Sequence, residues 1–147
     1  ISLTDLKIGE LNLSNESHKV SFNDDSRILW TGPNNWLLIS KNKELLKNIN
    51  QTFNETDFAI TDLSHSRAAI ELEGENIKEV LKKGCPYNFN ELNTNTSINS
   101  IFNGITVTID MIDDSPNKIR LYALRSFGES LHHSITDACL EFGYKNI

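Results

Sequence analysis

The sequence predicts an α+β fold, antiparallel sheets with packed helices and of ferredoxin-like character. Three observations carry that prediction. The stretch from Asp62 to Pro86 reads as a polar turn, a strand, a tight Gly turn and a short helix. Two pairs of apolar runs, within 27–40 and 105–123, each bracket a turn-forming cluster and so read as hairpins. Two further stretches, 45–53 and 127–142, hold apolar residues at helical spacing.

In chain order, Ile8, Leu11 and Leu13 among polar residues give a weak strand signal over Lys7 to Leu13, equally readable as an extended lead-in. Arg27 to Trp30 and Trp36 to Ser40 flank Thr31-Gly32-Pro33-Asn34-Asn35, whose Gly, Pro and Asn supply turn chemistry. The second of these strands is almost continuously apolar, which predicts a central strand covered on both faces, with Trp30 and Trp36 in the core. Ser40 or Asn42 then caps a helix with Leu45, Leu46, Ile49 and Phe53 along one side. Asp57 to Leu63 returns as a strand through Phe58 and Ile60.

Ala68, Ile70 and Leu72 alternate with Ala69, Glu71 and Glu73, so the next strand has one apolar and one charged face. Ile77, Val80 and Leu81 mark the short helix. Gly84 stands where a helix ends in a left-handed residue, and Pro86 forbids resumption. Asn88 to Asn103, mostly Asn, Thr and Ser, reads as the longest loop, a class of segment that is often functional or interface-forming. Ile105, Val107 and Ile109 alternate with polar residues, and Ile119, Leu121 and Ala123 resume the alternation after Asp113-Asp114-Ser115-Pro116-Asn117. The last element is a long amphipathic helix from near Ser126, with Phe127, Leu131, Ile135, Ala138 and Phe142 inward and Gly143 closing it.

At 147 residues the chain is the size of one domain, 1–147, or of two small α+β lobes sharing a core, and it needs no metal or disulfide to fold. A net charge of −6 with scattered Lys and Arg argues against a non-specific nucleic-acid binder. No run approaches the roughly 20 apolar residues that cross a bilayer, and no signal segment opens the chain, so a cytoplasmic location is expected and no membrane partner. The sequence starts on Ile rather than Met, which leaves the natural N-terminus open. Cys85 and Cys139 lack a short-spacing partner and are expected to be reduced thiols.

Several residues invite a chemical reading. Ser64, His65 and Ser66 beside Asp62 have the residue types of a nucleophile, base and orienter, but neighbours along one strand point to opposite faces and do not converge. A polar turn satisfying backbone groups accounts for them better. Cys85 follows a helix C-terminus, where the dipole disfavours a thiolate, so a packed thiol is expected despite Lys82 and Lys83. His132 and His133 are adjacent on a helix, about 100° apart, and cannot share one metal as an i, i+4 pair does. Asp110, Asp113 and Asp114 form an acidic patch around a hairpin turn without calcium-loop spacing. Arg67 and Arg125, each at the edge of an apolar strand, fit an ion pair or an anion contact. Residues alone give no self-sufficient catalytic or metal site.

Three stretches together resemble the gamma subunit of heterotetrameric sarcosine oxidase. They are Trp30-Thr-Gly-Pro-Asn-Asn-Trp-Leu-Leu, then Asp62-Leu-Ser-His-Ser-Arg-Ala-Ala-Ile-Glu-Leu-Glu-Gly through Val80-Leu-Lys-Lys-Gly-Cys-Pro, then Arg125-Ser126-Phe127-Gly-Glu-Ser-Leu. The middle one is more distantly similar to the first half of the folate-binding T-protein of the glycine cleavage system. The chain departs from many relatives at His132 and His133, where Trp is common, and at Asn90-Glu91.

The resemblance implies a T-protein-like folate-binding fold and an assembly that oxidises sarcosine, N-methylglycine, to glycine while passing the one-carbon unit to tetrahydrofolate. In that assembly FAD, FMN, NAD, zinc and tetrahydrofolate belong to the other subunits, and the gamma subunit docks on the large alpha subunit, with beta and delta completing the heterotetramer. The chain is then an accessory subunit without catalytic residues. The motif residues Asp62, Ser64, His65, Ser66, Arg67, Cys85, Arg125, Ser126, Phe127, His132 and His133 become structural or interface positions. A free-standing folate-binding one-carbon protein, or a subunit of an oxidase for dimethylglycine or a similar N-methyl amine, is the alternative. An accessory subunit leaves an apolar patch for its partner, expected on the outward side of the 126–142 helix and on the 88–103 segment.

Overall fold

Apolar alternation produces nine strands among residues 6–147, those described by the computed structural model, and they form three separate antiparallel sheets. The chain divides into two units, Ile1–Leu63 and Ser64–Ile147.

In the first unit, β1 (Lys7–Ile8) and β2 (Leu11–Asn12) make a minimal hairpin turned by Gly9, whose φ of +61° is a left-handed value that favours glycine. A second sheet has the order β3 (Val20–Phe22), β4 (Ser26–Gly32), β5 (Asn35–Ser40). The hairpin at 27–40 therefore forms as its turn residues predict, with Trp30 opposite Trp36. The expected central placement of the apolar second strand does not hold. β5 is an edge strand and Trp36 to Ile39 are half-buried, because β3, too short to read from alternation, pairs with the other side of β4.

The two tryptophans are half-buried rather than core residues. The Trp36 indole N–H donates to the Ser14 carbonyl at 2.6 Å and that of Trp30 to Asn15 Oδ1 at 3.1 Å, so each ring keeps its polar edge at a partner. Helix α1 (Lys43–Thr52) starts at Asn42, whose side chain accepts from the backbone N–H groups of Glu44 and Leu45. Its Leu45 and Ile49 pack with Trp36, Leu38 and Phe58 on the buried residues Ile8, Leu11, Leu13, Ile28 and Phe53. The strand expected over 57–63 is absent. The Asn54 carbonyl accepts from the N–H groups of Asp57 and Phe58, turning the chain, and Phe58 packs edge-on against Phe53 instead of entering a ladder.

The second unit is one four-stranded sheet with two helices on one face. Its order is β6 (Arg67–Glu73), β9 (Asn117–Leu124), β8 (Ile105–Asp114), β7 (Thr96–Phe102). Helix α2 (Ile77–Lys82) follows β6, and the chain then enters β7 at the far edge before a meander returns through β8 and β9 to β6. Helix α3 (Gly128–Cys139) closes the unit and packs against α2, β6 and β9. Ile77, Val80 and Leu81 of α2 and Leu131, Ile135 and Ala138 of α3 meet the inward side chains of the sheet, among them Ile98, Phe102, Val107, Ile109, Met111, Ile119 and Leu121.

Three expectations change here. The supposed loop 88–103 holds a 3-10 turn, Phe89–Glu91, and then strand β7; Thr96, Ser97, Asn99 and Ser100 obscure an alternation whose buried members include Ile98 and Phe102. Gly84 does not take a left-handed φ. It is small because a Cβ there would lie 2.7 Å from Asn103 Oδ1 and 2.9 Å from the buried Phe102 ring. The last helix is shorter than its periodicity, since Arg125–Phe127 is a 3-10 turn and Phe127 and Phe142 are exposed; Gly143 does close the segment, with φ +75°.

Candidate functional site

The Ser64–Arg67 and Arg125–Leu131 stretches, far apart in sequence, converge at one corner of the second unit. The backbone N–H of Arg125 donates to the Ser66 carbonyl at 2.9 Å, and its guanidinium donates to the His65 carbonyl at 3.4 Å. Arg67 stands opposite Leu124 in the β6–β9 ladder. Gly128 opens α3 close over β6, where a Cβ would lie 3.1 Å from Ala68 Cβ. Ser64, His65, Ser66, Arg67, Arg125, Ser126 and Phe127 are all exposed at this corner. Asp62 is exposed too and belongs to the end of the first unit. Ser64 to Ser66 form a turn, and the carbonyls of His65 and Ser66 accept from Arg125.

The other motif residues lie elsewhere. Cys85 is 5% exposed in the core of the second unit, and its thiol donates to Ser100 Oγ at 3.1 Å. His132 and His133 are exposed on α3, and their carbonyls both accept from the Thr136 hydroxyl. Among the described residues, no three or more His, Cys, Asp or Glu side chains gather as a metal site would need.

Strand alternation gives the sheet a second face, away from both helices, and sequence reading underestimated it. Along β6 this face carries Arg67, Ala69, Glu71 and Glu73; along β9 it carries Lys118, Arg120, Tyr122 and Leu124. Glu71 bridges two cations there, with Lys118 Nζ at 2.8 Å and the Arg120 guanidinium on the other oxygen. Glu73 lies 3.4 Å from Lys118, and Arg120 also donates to the Tyr122 hydroxyl at 3.4 Å. The hydrogen bond from Lys118 holds the Glu71 carboxyl below its ordinary value; burial opposes this and Arg120 adds to it. The same bond raises Lys118. Asp110, read as part of a turn patch, is instead fully buried in mid-strand, opposite Arg120 and Ser97. Asp113 and Asp114 do turn chemistry, Asp113 Oδ1 accepting from the N–H groups of Asp114 and Ser115 and Asp114 Oδ1 from the Ser115 hydroxyl.

The polarity of this face changes along the strands. Towards Lys118 it is a charge network. Towards Leu124 it becomes apolar, with Leu124 47% exposed and Ile101 of β7 43% exposed, and with Phe127 at 46% just beyond the strand end. The β8–β9 register, Thr108 opposite Tyr122, continued along the strands brings Thr106 beside Leu124, and Thr106 pairs with Ile101. Arg67, Leu124, Thr106 and Ile101 thus form one row across the sheet. The alternation of 67–73 with 118–124 was the signal for this row; the polar look of 96–102 concealed its far end.

The chain matches the model of the sarcosine oxidase, gamma subunit family over residues 10–141. It is 30% identical over 118 residues to the sarcosine oxidase subunit gamma of Corynebacterium sp. (strain U-96), covering 78% of this chain and 57% of that protein, so it spans little more than half the length of that relative. Its fold is similar to a chain in the structure of heterotetrameric sarcosine oxidase from Corynebacterium sp. U-96 in complex with pyrrole 2-carboxylate, with a TM-score of 0.85 and 26% identity over 95% of this chain and 72% of that one. With the match spanning both units and both of the stretches that meet at the β6–β9 corner, the chain belongs to the sarcosine oxidase gamma subunit family.

Proposed function

We propose that this chain is an accessory, non-catalytic subunit of a cytoplasmic sarcosine oxidase assembly coupled to tetrahydrofolate one-carbon metabolism. It docks on a large alpha subunit, with beta and delta subunits in the same complex, and FAD, FMN, NAD, zinc and tetrahydrofolate are held by those other chains. The observation that carries this reading is the similarity of 95% of the chain to part of a heterotetrameric sarcosine oxidase. The placement of the motif residues supports it: Cys85 is packed, His132 and His133 are on a helix surface, and the His65 and Ser66 carbonyls hold Arg125. Among the described residues, no helix is long and apolar enough to cross a membrane.

Co-expression with the alpha, beta and delta subunits of the same source tests the reading. The expected outcome is one species on a sizing column that contains this chain and consumes oxygen with sarcosine, whereas the chain alone does not. Failure of this chain to co-elute with the alpha subunit overturns it. Saturable binding of tetrahydrofolate to the lone chain, by calorimetry, would favour a folate-binding protein instead.

A further inference from the structure

The apolar end of the helix-free sheet face carries two arginines that have no carboxylate partner among the described residues. The chain has 14 Lys and Arg against 20 Asp and Glu, and among the described residues Lys19 pairs with Glu16, Lys82 with Glu79, Lys83 with Glu141, and Lys118 and Arg120 with Glu71. Arg67 has no ion pair or side-chain hydrogen bond among the described residues, and Arg125 reaches only the His65 carbonyl. Arg67 stands opposite Leu124 in the ladder and Arg125 follows Leu124 in the chain, at a site where about half of Leu124 and Phe127 is in water. Arginine beside exposed aromatic and aliphatic side chains is the composition of an interface centre rather than of a solvated surface. A guanidinium presents a planar fork that matches a carboxylate.

We propose that the corner formed by Arg67, Leu124, Arg125 and Phe127 is where the alpha subunit docks, through a segment in which acidic side chains flank an apolar one. This rests on the accessory-subunit reading above. Leu124 and Phe127 lose their water to the apolar side chain, and the two arginines take the carboxylates. Ile101, on the same row of the sheet, extends the apolar contact across the sheet towards β7.

The test measures the affinity of the full chain for the alpha subunit by biolayer interferometry, with Arg67→Glu, Leu124→Asp and, as a control on a separate exposed residue, Leu140→Asp. The exposed positions make folding of these variants checkable by circular dichroism. Arg67→Glu and Leu124→Asp are expected to weaken binding roughly tenfold or more, with Leu140→Asp within about twofold of the parent chain. Raising salt is expected to weaken the parent more than Arg67→Ala. A benzophenone side chain placed at 124 is expected to crosslink to the alpha subunit, a readout that does not depend on any variant's affinity. Parent-like binding by both Arg67→Glu and Leu124→Asp, with no crosslink from 124, overturns the docking site while leaving the accessory-subunit reading standing. Absence of any complex with the parent chain removes both. A lone chain that elutes as a dimer and becomes monomeric on Leu124→Asp assigns this corner to a second copy, and also overturns the proposal.

Discussion

Glu71 shows what one residue contributes on the exposed side of a strand. Its two oxygens engage Lys118 and Arg120, and its carboxyl is held below the ordinary value of 4.5. A folded-state value below the unfolded one stabilises the fold at pH above the unfolded value and loses that contribution as pH falls through the folded value. Glu71→Gln is therefore expected to lower stability at pH 7 by ~1 kcal/mol or less, since the side chain is partly in water. Thermal unfolding of both proteins should show the difference shrinking once pH passes below about 4.5 and through the lower folded value. An unchanged difference at pH 3 would assign the effect to packing rather than charge. At this scale sequence reading worked where a side chain acts locally: Asn42 caps, Asp113 turns, Cys85 packs. It overlooked Glu71 as a partner because Glu71 and Arg120 are 49 positions apart.

Elements were legible where apolar spacing was uninterrupted. β6, α2 and the β8–β9 hairpin follow directly from Ile70 and Leu72, from Ile77, Val80 and Leu81, and from Val107, Ile109, Ile119 and Leu121. β7 escaped because hydroxyl and amide side chains occupy most of its positions, and β3 because three residues contain no period. Gly84 is required by its neighbours rather than by its φ, which makes a sharper test. With no left-handed backbone to protect, Gly84→Ala fails only by collision with Phe102 and Asn103. It is expected to cost about 1–3 kcal/mol in urea unfolding with an unchanged m-value. A neutral result would mean that the Phe102 ring moves aside.

The chain is two units, one with a core built on Ile8, Leu11, Leu13, Ile28 and Phe53, the other with its buried residues within 77–138 and Ile70, Leu72 and Cys139 packed against them. Residues 64–147 expressed alone are expected to unfold in one cooperative transition with dispersed amide resonances, and a broad, uncooperative melt would show that this core is insufficient. The docking corner was the least legible part, since it exists only when Arg67 meets Leu124 across the ladder. The same pairing sets an order on synthesis. β6 heads its unit, yet β9, its ladder partner in the sheet, is among the last strands made. At about 5–20 residues per second, several seconds pass before Arg120 follows Glu71 out of the ribosome. Ala68, Ile70 and Leu72 wait through that interval with no strand beside them. The corner that recognises a partner is thus among the last places in its unit to take shape on the nascent chain.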